Sequence, residues 1–139
     1  MNLYRFPIRS GMTMILVSIV VLDLILQTVL RGQGRGVLNT GISFGYFPDY
    51  GRWVALVFCI TLVGWFGFLR MKMVSQSWLI LLLLGGMGNL VPRLIWGSVW
   101  DYIYIPLLGF WINLSDAMIT TGVVFYLWLE CCGKDDGVY

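Results

Sequence analysis

The sequence predicts an all-α integral membrane protein with four transmembrane helices, and three observations carry that prediction. Hydrophobic residues make up 59% of the 139 residues and charged residues only 12%, with a mean hydropathy of +0.84. That is more apolar surface than a soluble domain of this size can bury. Four apolar runs, at about 12–30, 53–69, 73–91 and 113–129, each cross or nearly cross a hydrocarbon core of ~30 Å at ~1.5 Å rise per residue. The connections between them gather Gly, Pro, aromatic and basic residues, so residues 1–139 form a single membrane-embedded domain.

The first run is as long as a full span and has no small-residue cleavage site after it, which predicts a retained helix and not a removed signal peptide. Within it Asp23 and Gln27 stand four residues apart on one face, and Arg31 continues that stripe to the surface. A carboxylate at membrane depth costs ~2.5–3.5 kcal/mol unless it faces a polar interior, so Asp23 calls for buried partners. An interhelical hydrogen bond that fixes packing explains the pair as well as a functional role does. The 31–52 connection carries Gly32, Gly34, Gly36, Gly41, Gly45, Pro48 and Gly51 between β-favouring residues, the composition of a small strand-and-turn element.

The second run contains Cys59, but the bulky Phe58 before it and its mid-span position exclude a lipid-attachment motif. A tight basic turn follows at 70–72. In the third run Gly85, Asn89 and Arg93 recur every four residues along one face, and Gly85, Gly86 and Gly88 permit close helix approach. Pro92 withdraws one amide and frees the carbonyl of Gly88, which predicts a bend or an end of the helix there. Between 93 and 112 the chain is rich in Trp, Tyr and Pro, a composition suited to the headgroup level. The fourth run opens with Asn113, Asp116 and Thr120 on one stripe; Asn113 suits an N-cap and Asp116 the first turn.

Four spans place Arg5, Arg9, Arg70, Lys72 and Lys134 on one side against Arg31, Arg35, Arg52 and Arg93 on the other, which favours cytoplasmic termini. The formal net charge of +2 is scattered singly, with no basic run to track a phosphate backbone, so nucleic acid is not an expected partner. With no His, and Cys131 and Cys132 adjacent, no metal-ligand spacing and no cofactor are expected. Asp101 and Asp116 lie fifteen residues apart around the outer connection. Two aspartates brought close share a proton, so one can polarise a carbonyl while the other deprotonates water. The same pair can bind a cation or carry protons, and composition and spacing do not choose among these readings.

A resemblance does. Gly85-Gly86, Gly88-Asn89 and Arg93, then Gly97, Val99, Asp101, Tyr102 and Ile103, then Asn113, Asp116 and Ile119 stand in the order and near the spacing of the signature stretch of signal peptidase II. Upstream, Asn39, Gly41 and Phe44 resemble that family's outer-loop motif, and Asp23 falls where the family has an acid. The resemblance implies an intramembrane aspartyl endopeptidase that removes signal peptides from diacylglyceryl-modified prolipoproteins, cutting before the lipidated Cys. It implies Asp101 and Asp116 as the catalytic pair, with Asn39, Gly41, Asn89, Arg93, Asn113 and Asp23 in supporting or substrate-binding positions. It further implies an extracytoplasmic β-cradle between helices 1 and 2 and a short surface helix between helices 3 and 4. The location implied is a bacterial cytoplasmic membrane, with the site near the outer leaflet. Membrane lipid and cyclic lipopeptide inhibitors are the other partners implied. Pro92, Leu38 and Gln27 depart from the family's usual Asp, Arg and Lys. These departures motivate the alternative of an inactive relative that binds lipoproteins or membrane partners. A small proton- or ion-handling membrane protein is a further alternative.

Overall fold

The computed structural model describes residues 10–41, 50–71 and 77–132. The basic residues Arg5, Arg9, Lys72 and Lys134, and Phe44 of the outer-loop motif, lie outside the described residues. Among the described residues four helices carry the fold: α1 (Ser10–Gly32), α2 (Gly51–Met71), α3 (Ser77–Trp96) and α4 (Leu114–Cys132). Three of them hold stretches long and apolar enough to cross a membrane, Gly11–Gly32, Gly51–Phe68 and Trp78–Trp96; the apolar part of α4, Leu114–Leu129, is shorter.

The distribution of polarity is that of a membrane protein. On α1, Ile15, Val21, Ile25 and Val29 are exposed, whereas Asp23 and Gln27 are 0% and 1% exposed. Lipid is as apolar as these outward side chains, so helix association rests on close packing and interhelical hydrogen bonds. α3 supplies both. At Gly88 an added Cβ would run into the Ser115 side chain of α4, and at Gly85 it would lie 2.7 Å from the Ser115 carbonyl. Only bare backbone permits that approach. Toward the other end Leu62, Trp78, Leu79 and Leu82 form a buried cluster joined by Phe66 and Tyr126. There the Trp78 ring lies 4.7 Å from that of Tyr126 and edge-on to Trp65 at 6.1 Å.

Two short antiparallel sheets cap the site end. β1 (Val37–Asn39), in the α1–α2 connection, pairs with β2 (Val99–Asp101) from the α3–α4 connection, with Val37 opposite Asp101 and Asn39 opposite Val99. Trp100 Nε1 donates to the Arg35 carbonyl at 2.8 Å beside Gly36, whose φ of 125° and lack of Cβ let the indole approach. β3 (Ile103–Ile105) and β4 (Phe110–Ile112) form a hairpin closed through Gly109 at φ 70°.

Two expectations are corrected here. The surface helix expected between the third and fourth helices is absent: strands β2, β3 and β4 occupy that connection. The physical reason is local, since β-branched and aromatic residues alternate from Ile103 to Ile112 around Pro106 and Gly109, a pattern that fits a pleated hairpin. Of the bend or end expected at Pro92, the end is absent, for α3 runs on to Trp96 with Pro92 inside it. The freed Gly88 carbonyl instead finds the Gln27 amide of α1 at 3.5 Å.

Candidate active site

Asn113 organises the centre of the polar cluster. As the residue before α4 its Oδ1 accepts the Asp116 N–H at 2.9 Å, and Asp116 Oδ2 accepts the Asn113 N–H at 3.3 Å, the reciprocal arrangement of a capping box. The sequence reading of a cap and an acidic first turn is thus realised in the same two residues that form the site. The Asn113 amide Nδ2, pointing the other way, donates to Asp101 Oδ1 at 2.8 Å and to Asn89 Oδ1 at 3.0 Å. Asn89 Nδ2 in turn donates to Asp116 Oδ1 at 2.7 Å. One asparagine therefore touches both aspartates, and a second closes the ring.

Asp101 enters from β2. Asn39 faces Val99 across the sheet, so Asp101, two residues on, lies diagonally on the same face. Asn39 Nδ2 donates to Asp101 Oδ2 at 2.9 Å. Arg93 reaches the cluster from α3, donating through Nη1 to the Asn89 carbonyl and through Nη2 to the Gly41 carbonyl, which ties the outer loop to the third helix. Asp101 is 2% exposed. Burial pushes its carboxyl up to about 6, and the nearby Asp116 charge acts in the same direction. The hydrogen bonds from Asn39 and Asn113 and the charge of Arg93 oppose that rise.

A cavity of about 390 Å³ opens beside the cluster between α2, α3, α4 and β4. Asn39, Asn89, Arg93, Asp116 and Thr120 supply its polar wall; Val54, Phe58, Trp111 and Ile119 are among its apolar lining. Asp116 lines it and Asp101 does not, so the two carboxyls differ in access. Two buried atoms of lining residues, Asn39 Oδ1 and Arg93 Nε, have no hydrogen-bond partner among the described residues. One is an acceptor and the other a donor, each buried within a residue that lines the cavity.

The sequence-predicted residues Asn39, Gly41, Asn89, Arg93, Asp101, Asn113 and Asp116 thus come together. Asp23 does not join their hydrogen-bonded ring. It heads a second cluster behind β2, accepting the Tyr102 hydroxyl at 2.7 Å, the Leu114 N–H at 3.1 Å, Gln27 Nε2 at 2.9 Å and the Ser115 hydroxyl. It therefore anchors the start of α4 from α1. Burial and the bond to Asp23 hold the Tyr102 phenol above its ordinary range, as a donor.

Sequence reasoning missed Tyr102, Ser115 and Ser98 as working residues. Tyr102 follows Asp101, and the strand's period of two turns it to the opposite side, toward α1. Ser115 stands where the close approach of Gly88 needs a small residue. Ser98 receives Arg31, which donates to its carbonyl at 3.1 Å and its hydroxyl at 3.0 Å while lying over the Trp96 ring. Among the described residues no group of His, Cys, Asp or Glu could hold a metal ion.

Comparison with known proteins adds an independent line. The model of the family described as Signal peptidase (SPase) II matches residues 33–132. A lipoprotein signal peptidase of Gloeothece citriformis is 34% identical over 97 residues, 66% of this chain and 60% of that protein. That of Thermodesulfovibrio yellowstonii is 32% identical over 97 residues, 66% of this chain and 65% of that one, and that of Anaplasma phagocytophilum is 35% identical over 101 residues, covering 66% and 64%. The chain thus spans less than two thirds of the length of these relatives. A solved structure described as a bacterial membrane enzyme, determined by the in meso method, shares the fold with a TM-score of 0.69 at 18% identity, covering 94% of this chain and 95% of that one.

Proposed function

The chain belongs to the signal peptidase II family, and from that premise we propose that it is an intramembrane aspartyl endopeptidase that removes signal peptides from diacylglyceryl-modified prolipoproteins, cutting before the lipidated Cys. The observation that carries this reading is the bridging of Asp101 and Asp116 by Asn113 beside a cavity with a polar wall. Two carboxyls in one buried network hold a single proton between them over a range of pH.

In this reading Asp116, on the cavity wall, takes the proton from the attacking water. Asp101, whose burial raises its proton affinity, holds the pair's shared proton. Asn39 and Arg93, whose side chains line the cavity, hold the substrate's backbone. Gly41 holds Arg93 in place through its carbonyl, and Asn89 aligns Asp116. Asp23 supports the pair indirectly by fixing the first turn of α4. The apolar cavity lining suits the lipidated residue of the substrate.

The same reading has four spans in a bacterial cytoplasmic membrane, cytoplasmic termini and a site near the outer leaflet, beneath a cradle of β1 and β2. Cyclic lipopeptides that mimic the bound peptide would occupy the cavity as inhibitors.

The test is incubation of the purified protein in detergent with a diacylglyceryl prolipoprotein, with Asp101→Asn and Asp116→Asn beside it. Cleavage by the parent and loss in both variants is expected. Substantial turnover by either variant would overturn the dyad assignment. A folded parent that binds the substrate without cleaving it would identify a lipoprotein-binding relative.

A further inference from the structure

Pro92 and Gln27 meet at one carbonyl. Inside α3 Pro92 carries no amide hydrogen, so the carbonyl of Gly88 loses its helical donor. At membrane depth no water replaces that donor, and an orphaned carbonyl is costly. Gln27 of α1, 1% exposed, directs Nε2 at this oxygen at 3.5 Å while the same amide nitrogen serves Asp23 Oδ2 at 2.9 Å. The approach is open because Gly88 has no side chain, and Ser115 of α4 fills the remaining space against it.

The other end of the Gln27 amide faces β2. That strand pairs with β1 along one edge only, and a strand's free edge leaves buried amides in need of acceptors. Gln27 Oε1 accepts the N–H of Trp100 at 3.3 Å, one residue before Asp101. A single side chain thus links α1 to α3 at the proline and to the strand that carries one carboxyl of the site. Its hydrogen bonds reach neither Asp101 nor Asp116.

We infer that Gln27 is a positioning residue coupled to Pro92: it satisfies the carbonyl that the proline frees and, through Trp100, sets where β2 holds Asp101. The inference rests on the aspartyl peptidase reading of the site. An apolar residue at 27 leaves Gly88 without a donor, Trp100 without an acceptor and Asp23 with one partner fewer. An ordinary residue at 92 returns the helical donor to Gly88, so part of the need for Gln27 disappears.

The experiment is a double-mutant cycle on the full chain in detergent with Gln27→Met, Pro92→Ala and the pair. Thermal unfolding midpoints are read together with kcat and KM on a diacylglyceryl prolipoprotein. Gln27→Met is expected to lower kcat roughly tenfold or more with KM changed less than about threefold, because a shifted carboxyl damages the reacting geometry more than binding. Its drop in midpoint is expected to be at most half as large in the Pro92→Ala background as in the parent. Gln27→Asn, one methylene shorter, keeps a partner for Asp23 but not the reach to Trp100. It carries the same expected split of kcat from KM where Gln27→Met does not fold.

A lowered midpoint with unchanged kcat would reduce Gln27 to packing and overturn the positioning role. Equal drops in the two backgrounds would overturn the coupling. A folded parent that cleaves nothing refutes the peptidase reading and with it the positioning role, while the midpoints still decide whether Gln27 and Pro92 are coupled.

Discussion

Replacing Asp101 by asparagine removes a charge and leaves a side chain of nearly the same shape, and the structure says what that change does to stability. The carboxyl titrates near 6 in the fold against an ordinary value of 3.8. Because the folded value is raised, the native state binds more protons than the unfolded state between those values. The stability contributed by this group is therefore greatest at low pH and falls as pH rises from about 4 through about 6. The loss amounts to about 3 kcal/mol at neutral pH, at 1.36 kcal/mol per pH unit. Asparagine escapes this loss but brings an amide that must donate. Asn113 cannot turn to accept it, since its Oδ1 holds the Asp116 N–H. Asn39 can, because its Oδ1 has no partner and a flip of its amide presents that oxygen. Asp101→Asn should accordingly fold, abolish cleavage and gain about 2 kcal/mol at pH 7.5, allowing about 1 kcal/mol for the rearranged hydrogen bonding. Thermal unfolding of parent and variant in detergent from pH 4 to pH 8 checks it. The variant's midpoint should lie below the parent's at about pH 4, cross it between about pH 4 and pH 5, and rise above it up to about pH 6, after which the gap stays constant. A parent more stable than the variant at pH 7.5, or a gap independent of pH, would refute the reasoning.

Asp116→Asn should behave differently, since both its oxygens accept from donors that cannot turn away, the Asn113 N–H and an Asn89 amide whose oxygen is itself engaged. A loss of about 1–2 kcal/mol in unfolding free energy is expected together with loss of cleavage. Asn39→Ala removes one of the two side-chain donors to Asp101, so its titration should climb further above 6, read as an upward shift of the pH at which the parent's midpoint stops falling. Gly88→Ala forces a methyl against Ser115 at the tightest α3–α4 contact, and a loss of about 2 kcal/mol or more is expected by the same unfolding assay.

Much of this protein follows from short-range pattern. Of the four apolar runs the sequence marks as spans, three form helices long and apolar enough to cross a bilayer, because membrane burial acts on composition and length. The Asn113–Asp116 capping box is legible from a three-residue spacing, because both partners sit on one helix turn. The motif order around Asn89, Arg93, Asp101 and Asp116 identified the family. What tertiary structure alone decided is how distant segments meet. Asn39 reaches Asp101 across 62 positions only because β1 and β2 pair in one register. Asp23 is held behind the Asp101–Asn113–Asp116 network, where it anchors the start of α4 and accepts the Tyr102 hydroxyl. The aromatic connection after α3 implied a short surface helix, and pairing of Ile103 with Ile112 makes it a hairpin instead. Pro92 favours a bend or an end of the helix, yet α3 continues through it, and Gln27, 61 residues from Gly88, points its amide at the carbonyl left without a donor. A sequence records which hydrogen bonds a residue lacks, and only packing determines which partner fills them.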